Sequence, residues 1–366
     1  MTTIADRTPF YKRLCYNLIS VCLIFLIFYL GQDILVPLLF AILLASLLLP
    51  ITSFLEKKRI HRVFSILISL SISLVIIASL VYFLANQIAG FFDDLPTFSS
   101  RIDDMMNIIH RWVRSTFHIK ISLQNQYINE TLLKMKSSGS DILGVTFITV
   151  TQILSYLVLL PVYTFLLLYY RHLIKQFLID AFKNGSTGEV REILQESQAI
   201  SQSYMLGLMI EMAIVFALNA LGFVILGIKF AILLALVAAL LNLIPYIGML
   251  VANIFCMLIT MISGEVMQLS DVLWVGVILA LVQILDNNFL MPLIVGAKVR
   301  INSLATIMGV LVGGALCGYP GMFLSIPVLA VLKVIFDRVE GLESYGMLLG
   351  DVSPARKANE LPKKII

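Results

Sequence analysis

Charged side chains are scarce in this chain. Asp, Glu, Lys and Arg make up 13% of its 366 residues, against about 25% in soluble domains. Hydrophobic residues reach 60% and the mean hydropathy is +0.97. That excludes an ordinary soluble protein and predicts several membrane spans of about 20 residues each. Cysteine is equally sparse. Cys15, Cys22, Cys256 and Cys317 lack paired spacing, so neither a disulfide framework nor a zinc cluster is expected. The four histidines, His61, His110, His118 and His172, lie in loops or at membrane edges, and H-E-x-x-H is missing. A G-x-x-x-x-G-K-[ST] phosphate loop and a G-x-S-x-G elbow are missing too, so ATP-driven work and a serine-hydrolase site are not expected. The net charge of +4 is spread through short loops. That suits orientation by positive charge and not a nucleic-acid partner, which needs a clustered basic face. The chain is read as a non-enzyme.

What is present is a series of apolar runs. Leu14 to Leu30 and Ile34 to Leu55 form two spans around a polar turn at Gly31-Gln32-Asp33. Lys12 and Arg13 precede Tyr16 to Leu30 as in a signal peptide, but no small-residue cleavage site follows, so a retained span is expected. Glu56 to Arg62 holds four basic residues, which places this loop and the N-terminus in the cytoplasm. Val63 to Ala89 is a third span. Gly90 to Leu143 is the one sizeable polar segment. Phe91, Leu95, Phe98, Ile102, Met105, Ile109 and Trp112 recur in it at spacings of four and three, a heptad pattern. It fits an amphipathic helix on its own protomer or in the interface, a seam between protomers, or a capture domain. Gly144 to Tyr170 is a fourth span, Lys175 to Gln202 a cytoplasmic connection, and Ser203 to Leu226 a fifth span.

Beyond Phe230 the runs shorten and break. Phe230 to Ile244 and Ile247 to Ile262 flank Pro245-Tyr246, with Gly248 just beyond. Val272 to Phe289 is a full span ending near Pro292 and Gly296. Leu304 to Leu316 and Met322 to Lys333 form a second interrupted pair, punctuated by Gly313, Gly314, Gly318, Gly321 and Pro327. Broken helices survive at membrane depth only inside protein or beside a cavity, and paired broken segments point to a transport site. The pairs are read as re-entrant hairpins or as tilted spans. The G-x-x-x-G spacings Gly309 to Gly313 and Gly314 to Gly318 suit close helix packing.

Intramembrane carboxylates are costly and therefore informative. Glu211 and Asp286 are the two in the second half. Asp286 shares a helix face with Gln283 and Asn287, and Asn288 and Asn242 lie close in sequence to the breaks. Glu211, Asn242, Pro245, Gly248, Gln283, Asp286, Asn287 and Asn288 are the candidate binding or coupling residues. The bland alternatives are a solvated cap for Asp286 and a satisfied interhelical contact for Glu211. Pro292, Gly296, Gly313, Gly314, Gly318, Gly321 and Pro327 are the candidate hinges.

Leu241-Asn242-Leu243-Ile244-Pro245-Tyr246-Ile247-Gly248 resembles the proline-glycine motif of the autoinducer-2 exporter family of bacterial permeases. Asp286-Asn287-Asn288 with Pro292, Gly296 and Lys298 resembles its next block, and Gly313-Gly314, Gly318, Gly321 and Pro327 its glycine-rich end. Two departures stand out. Met249-Leu250 follows Gly248 where a turn residue is usual, and Asn302-Ser303 replaces a frequent His-Pro pair. The resemblance implies a secondary transporter of the bacterial inner membrane. It would export a small polar signalling molecule of the autoinducer-2 kind or exchange sodium or lithium for protons. No cofactor is implied beyond a coupling proton or sodium ion. The implied partners are the lipid bilayer, a small-molecule or ion substrate, and further copies of the chain in a homo-oligomer, with a pentamer as one size.

The expected fold is an all-α polytopic membrane protein of about eight transmembrane helices. Its parts are membrane helices one to three over 1–89, an extracytoplasmic amphipathic segment over 90–143, the fourth span and connection over 144–202, a C-terminal transport unit over 203–336 and a cytoplasmic tail over 337–366. Both termini are expected inside.

Overall fold

A computed structural model describes residues 10–93, 156–181, 187–244, 247–263, 269–296, 301–339 and 341–350. The heptad-bearing segment from residue 94 and the tail from residue 351 lie outside the described residues. In chain order the elements are α1 (Phe10–Leu30), α2 (Gln32–Lys57), α3 (Arg62–Asp93), α4 (Tyr156–Tyr169), α5 (Arg171–Ala181), α6 (Thr187–Ile225), α7 (Ala231–Leu241), α8 (Ile247–Ser263), α9 (Leu269–Leu285), a π-helix (Asp286–Gly296), α10 (Ser303–Arg338) and α11 (Glu343–Leu349). Among the described residues there is no strand, only an isolated bridge between Ile301 and Gly350. Among the described residues, five helices are long and apolar enough to cross a bilayer, six if the bent pair α4–α5 counts as one span. The chain is an all-α polytopic membrane protein.

Several boundaries differ from the sequence expectation for identifiable reasons. The turn between the first two spans shrinks to Gly31 alone, whose N–H donates to Ile27 at 2.8 Å. From Thr187 onward the connection and the fifth span are one helix, α6, of 39 residues, because nothing from Glu189 to Leu206 is glycine or proline. At about 1.5 Å per residue it is roughly 58 Å long. α4 and α5 instead meet at a 67° bend. Past Leu285 the helix does not end at the polar residues; it widens into the π-helix, which carries Pro292 inside it. A proline ring clashes with the carbonyl four residues back in α winding. The wider π winding moves that carbonyl away, and such segments recur at functional sites.

The described chain packs as two compact units. One comprises residues 54–162 and 207–295. Its core is built on α7, an 11-residue helix made only of alanine, leucine, isoleucine and valine, with Ala231, Ala235, Ala238 and Ala239 all buried. Those small side chains let α8 approach closely: the Cys256 thiol lies 3.6 Å from the Leu234 carbonyl oxygen, and Ala252 joins the same cluster. α7 is about 16 Å long, too short to cross about 30 Å of hydrocarbon. Residues 231–263 therefore form a helical hairpin.

The other unit comprises residues 1–53, 163–206 and 296–366. Its α10 is two arms folded against each other. The break falls at Cys317 and Gly318, where Gly318 has φ +60, a left-handed conformation that glycine adopts at no steric cost. Beyond it, Gly313 and Gly321 face each other so closely that a methyl group on either would overlap the other's carbonyl oxygen. The Ser325 hydroxyl lies 2.8 Å from the Gly309 carbonyl oxygen in the opposite arm. Pro320 sits at the start of the second arm, where its missing N–H costs nothing. Of the G-x-x-x-G glycines, Gly309, Gly313 and Gly314 thus serve close packing within one hairpin, and Gly318 serves its turn. Phe323 of the second arm stacks on Phe40 of α2 at 5.5 Å.

Asn302, the residue standing in place of the His-Pro pair, caps α10. Its side-chain oxygen accepts from the Ala305 N–H at 2.8 Å, and its amide donates to the Leu348 and Gly350 carbonyls at 2.6 and 3.1 Å. Its backbone N–H donates to Leu349 at 2.9 Å. α11 in turn packs along the end of the second arm, with Gly346 against Asp337 and Tyr345 against Phe336. Arg338, at that end, donates to Glu192 and Glu196 on α6 at 2.7 and 2.8 Å.

Candidate functional site: a buried carboxyl pair with amides around it

The candidate site lies in the unit containing α7, α8 and α9, and two helical stripes explain how polar groups come to be buried there. On α9 and its continuation, Val272, Val275, Leu279, Val282 and Asp286 are all buried. Their spacing of three and four is that of a core-facing stripe, so the register that buries the valines also carries Asp286 inward. On α6, Tyr204, Glu211, Val215, Asn219 and Phe223 are likewise buried. Glu211, Val215 and Asn219 follow one another at i, i+4 and i+8, on one face. Val215 and Val282 pack together with Ala239, which aligns the two stripes.

The stripes end at a contact between two acids. Glu211 is 6% exposed and Asp286 3%, and the two lie within hydrogen-bonding reach of each other. Asn242, at the C-cap of α7, donates its side-chain amide to Asp286 Oδ2 at 2.9 Å. Glu211 Oε2 and Asp286 Oδ1 are buried without a hydrogen-bond partner. Asp286 is therefore not a solvated cap at the interface. Two carboxyls cannot both be charged at such proximity away from water unless a cation joins them; otherwise they must hold at least one proton. The arrangement can take up and release a proton or a small cation.

The remaining sequence-predicted residues are distributed as follows. Gln283 sits one turn before Asp286 and donates to the Asn287 side-chain oxygen at 3.0 Å. Asn287 and Asn288 are exposed, the latter donating to the Ile284 carbonyl at 2.8 Å. Gly248 is buried at the start of α8, where a methyl group would overlap the carbonyl oxygen of Leu241. That close approach ties α8 to the turn that bears Asn242. Pro245 lies outside the described residues. Pro292 and Gly296 belong to the π-helix. Gly313, Gly314, Gly318, Gly321 and Pro327 all belong to the α10 hairpin in the other unit.

Two polar residues were not singled out by sequence as site residues. Asn219 is 2% exposed with its side-chain oxygen unpartnered. Asn253 sits on α8, and both side chains line a cavity of about 10 Å³ together with Asn242 and Gln283. The signal for Asn219 was its i+8 position from Glu211. For Asn253 it was polarity inside the otherwise apolar helix Ile247–Ser263.

A lipid-spanning chain with broken hairpins and a desolvated acid pair has the makings of a membrane transporter. Comparison with known proteins defines it further. Residues 18–341 match the sequence profile of the AI-2E family transporters. The chain belongs to the AI-2E transporter family. It is 26% identical to the "Putative transport protein YueF" of Bacillus subtilis, over 82% of each chain. It is 24% identical to the "Putative transport protein YhhT" of Escherichia coli, over 91% of each. The "AI-2 transport protein TqsA" of Escherichia coli is 23% identical over 88% of this chain and 91% of its own length. The family and these relatives carry the names of transport proteins.

Proposed function

We propose that the protein is a secondary-active permease of the bacterial inner membrane that exports a small polar signalling molecule of the autoinducer-2 kind, driven by an ion gradient. The observation that carries the ion coupling is the buried contact between Glu211 and Asp286, with Asn242 donating to it from the broken α7–α8 hairpin. A carboxyl pair of this kind stabilises a protonated or cation-bound form in one conformation and releases it when water reaches the site in another. Gly318 and the glycine-packed arms of α10 supply a hinge for such a change. The name of the relative TqsA supports autoinducer-2 as the substrate class.

Lys57, Lys58, Arg59 and Arg62 next to the second and third spans support cytoplasmic termini. The exposed apolar faces of α1 and α3 suit lipid and further copies of the chain, and a homo-oligomer, with a pentamer as one size, belongs to the same reading. A second reading, cation/proton antiport, is favoured by the cavity's small volume of about 10 Å³, which suits a single ion.

Everted vesicles test both. Asp286→Asn and Glu211→Gln are expected to abolish gradient-driven autoinducer-2 uptake into the vesicles. Full coupled transport by both variants would refute the site. Relief of acid quenching on adding sodium, without autoinducer-2, would select the antiporter reading.

A further inference from the structure

The cavity beside the acid pair has its own chemistry. Asn219, Asn242, Asn253 and Gln283 line it, and the other lining residues include none that is charged. The amide nitrogens of two of these are already committed, Asn242 to Asp286 and Gln283 to Asn287. Each of these amides keeps an oxygen and a second N–H beyond that bond. Asn219 adds a third oxygen, 98% shielded from solvent and accepting from nothing. An acceptor buried without a donor carries an uncompensated desolvation cost, and the Asn219 oxygen, in a cavity lined by three further amides, calls for a donor or a cation beside it.

Size and charge narrow that occupant. The volume of about 10 Å³ is near the least that holds one water, which suits a single small occupant. The oxygens are neutral amides, and a divalent ion is normally held by carboxylates that offset its charge. Asp286 stands one turn beyond Gln283, about 4.5 Å further along the axis. Glu211 is eight residues from Asn219 on α6, about 12 Å along that axis. The acids are near enough to give the cavity a negative potential and too displaced for both to ligate an ion beside Asn219.

We propose that this amide-lined cavity is a second station for a single dehydrated monovalent cation, with Asn219 as one of its ligands and Asn242 as the link to the acid pair. Asn242 is the residue that belongs to both places: it donates to Asp286 and lines the cavity. A cation would pass between the acid pair and the cavity along its side chain. The inference rests on the ion-coupled reading above, naming the class of ion and a residue beyond the acid pair.

The test is equilibrium binding of sodium to the purified full chain, read as the shift of its thermal unfolding midpoint with sodium chloride replacing choline chloride at constant ionic strength. The wild type is expected to shift upward and saturably. Asn219→Leu is expected to weaken the apparent sodium affinity by roughly tenfold or more, and Asn253→Leu, on the other wall, to do the same if the first variant fails to fold. The absence of a shift with sodium, lithium and potassium would overturn the proposal and leave a water in the cavity. So would an equal shift in wild type and both variants. Vesicle transport separates the two levels. Transport that fails in Asp286→Asn but survives in Asn219→Leu, with no cation shift, sinks the second station and spares the ion-coupled reading.

Discussion

Asn242 and Asp286, 44 residues apart in the chain, are joined by a 2.9 Å hydrogen bond from the amide of one to the carboxyl of the other. The bond fixes the C-cap of α7 to the start of the π-helix, where Asp286 is buried. A hydrogen bond to a charged group is worth about 1.5–3 kcal/mol. Asn242→Leu is therefore expected to lower the initial rate of coupled transport in everted vesicles by roughly one to two orders of magnitude. Asn242→Asp, which adds a third acid to the pair, is expected to be at least as damaging. Normal rates in both would show that the bond is incidental.

The two acids touch, so their substitutions are not independent. Groups that act as a unit lose most of their function when one is removed. Glu211→Gln, Asp286→Asn and the double variant are expected to have nearly the same residual transport. Multiplicative losses would mean two separate sites.

The glycines of the α10 hairpin are expected to differ sharply in tolerance. At Gly321 an added methyl meets the backbone of Gly313, which cannot move aside; at Gly309 it meets the end of the Leu329 side chain, which can. Overpacking costs about 1–3 kcal/mol or more where the surroundings are rigid. Gly321→Ala is expected to lower the thermal midpoint in detergent by several degrees, Gly309→Ala by much less. Equal effects would argue against the arm-to-arm packing.

Ser325 bonds across the same hairpin to Gly309 as well as back along its own arm to Gly321. Ser325→Ala removes the cross-arm bond and leaves the small side chain. A loss of about 1 kcal/mol in unfolding free energy is expected, measured by denaturant unfolding in mixed micelles. No change would place the bond outside the forces that hold the arms.

Much of this was legible in the residues. Low charge and long apolar runs gave the membrane class. The proline and glycine interruptions gave the places of the two breaks, because backbone breaks are local, but not whether the flanking segments fold back as hairpins or run on as tilted spans. Glu211 and Asp286 stood out because a carboxylate inside an apolar run is costly wherever it ends up. Their contact was not legible, since it depends on the register of α6 against α9, set by Val215 and Val282 packing between them. Asn219 and Asn253 were overlooked for the same reason: an amide on a helix declares its polarity but not which neighbour it faces. The π-helix was unreadable too, because Pro292 normally signals an end and here the winding widens to admit it.

Asn302 has a mechanical consequence. It ties the foot of the first α10 arm to residues 348–350, while α11 lies along the foot of the second. The hairpin is thus a clothes-peg pinned at its open end, and its arms cannot spread from the base. Movement of this segment must appear as bending at the Gly318 tip or as travel of the whole peg with α11 attached.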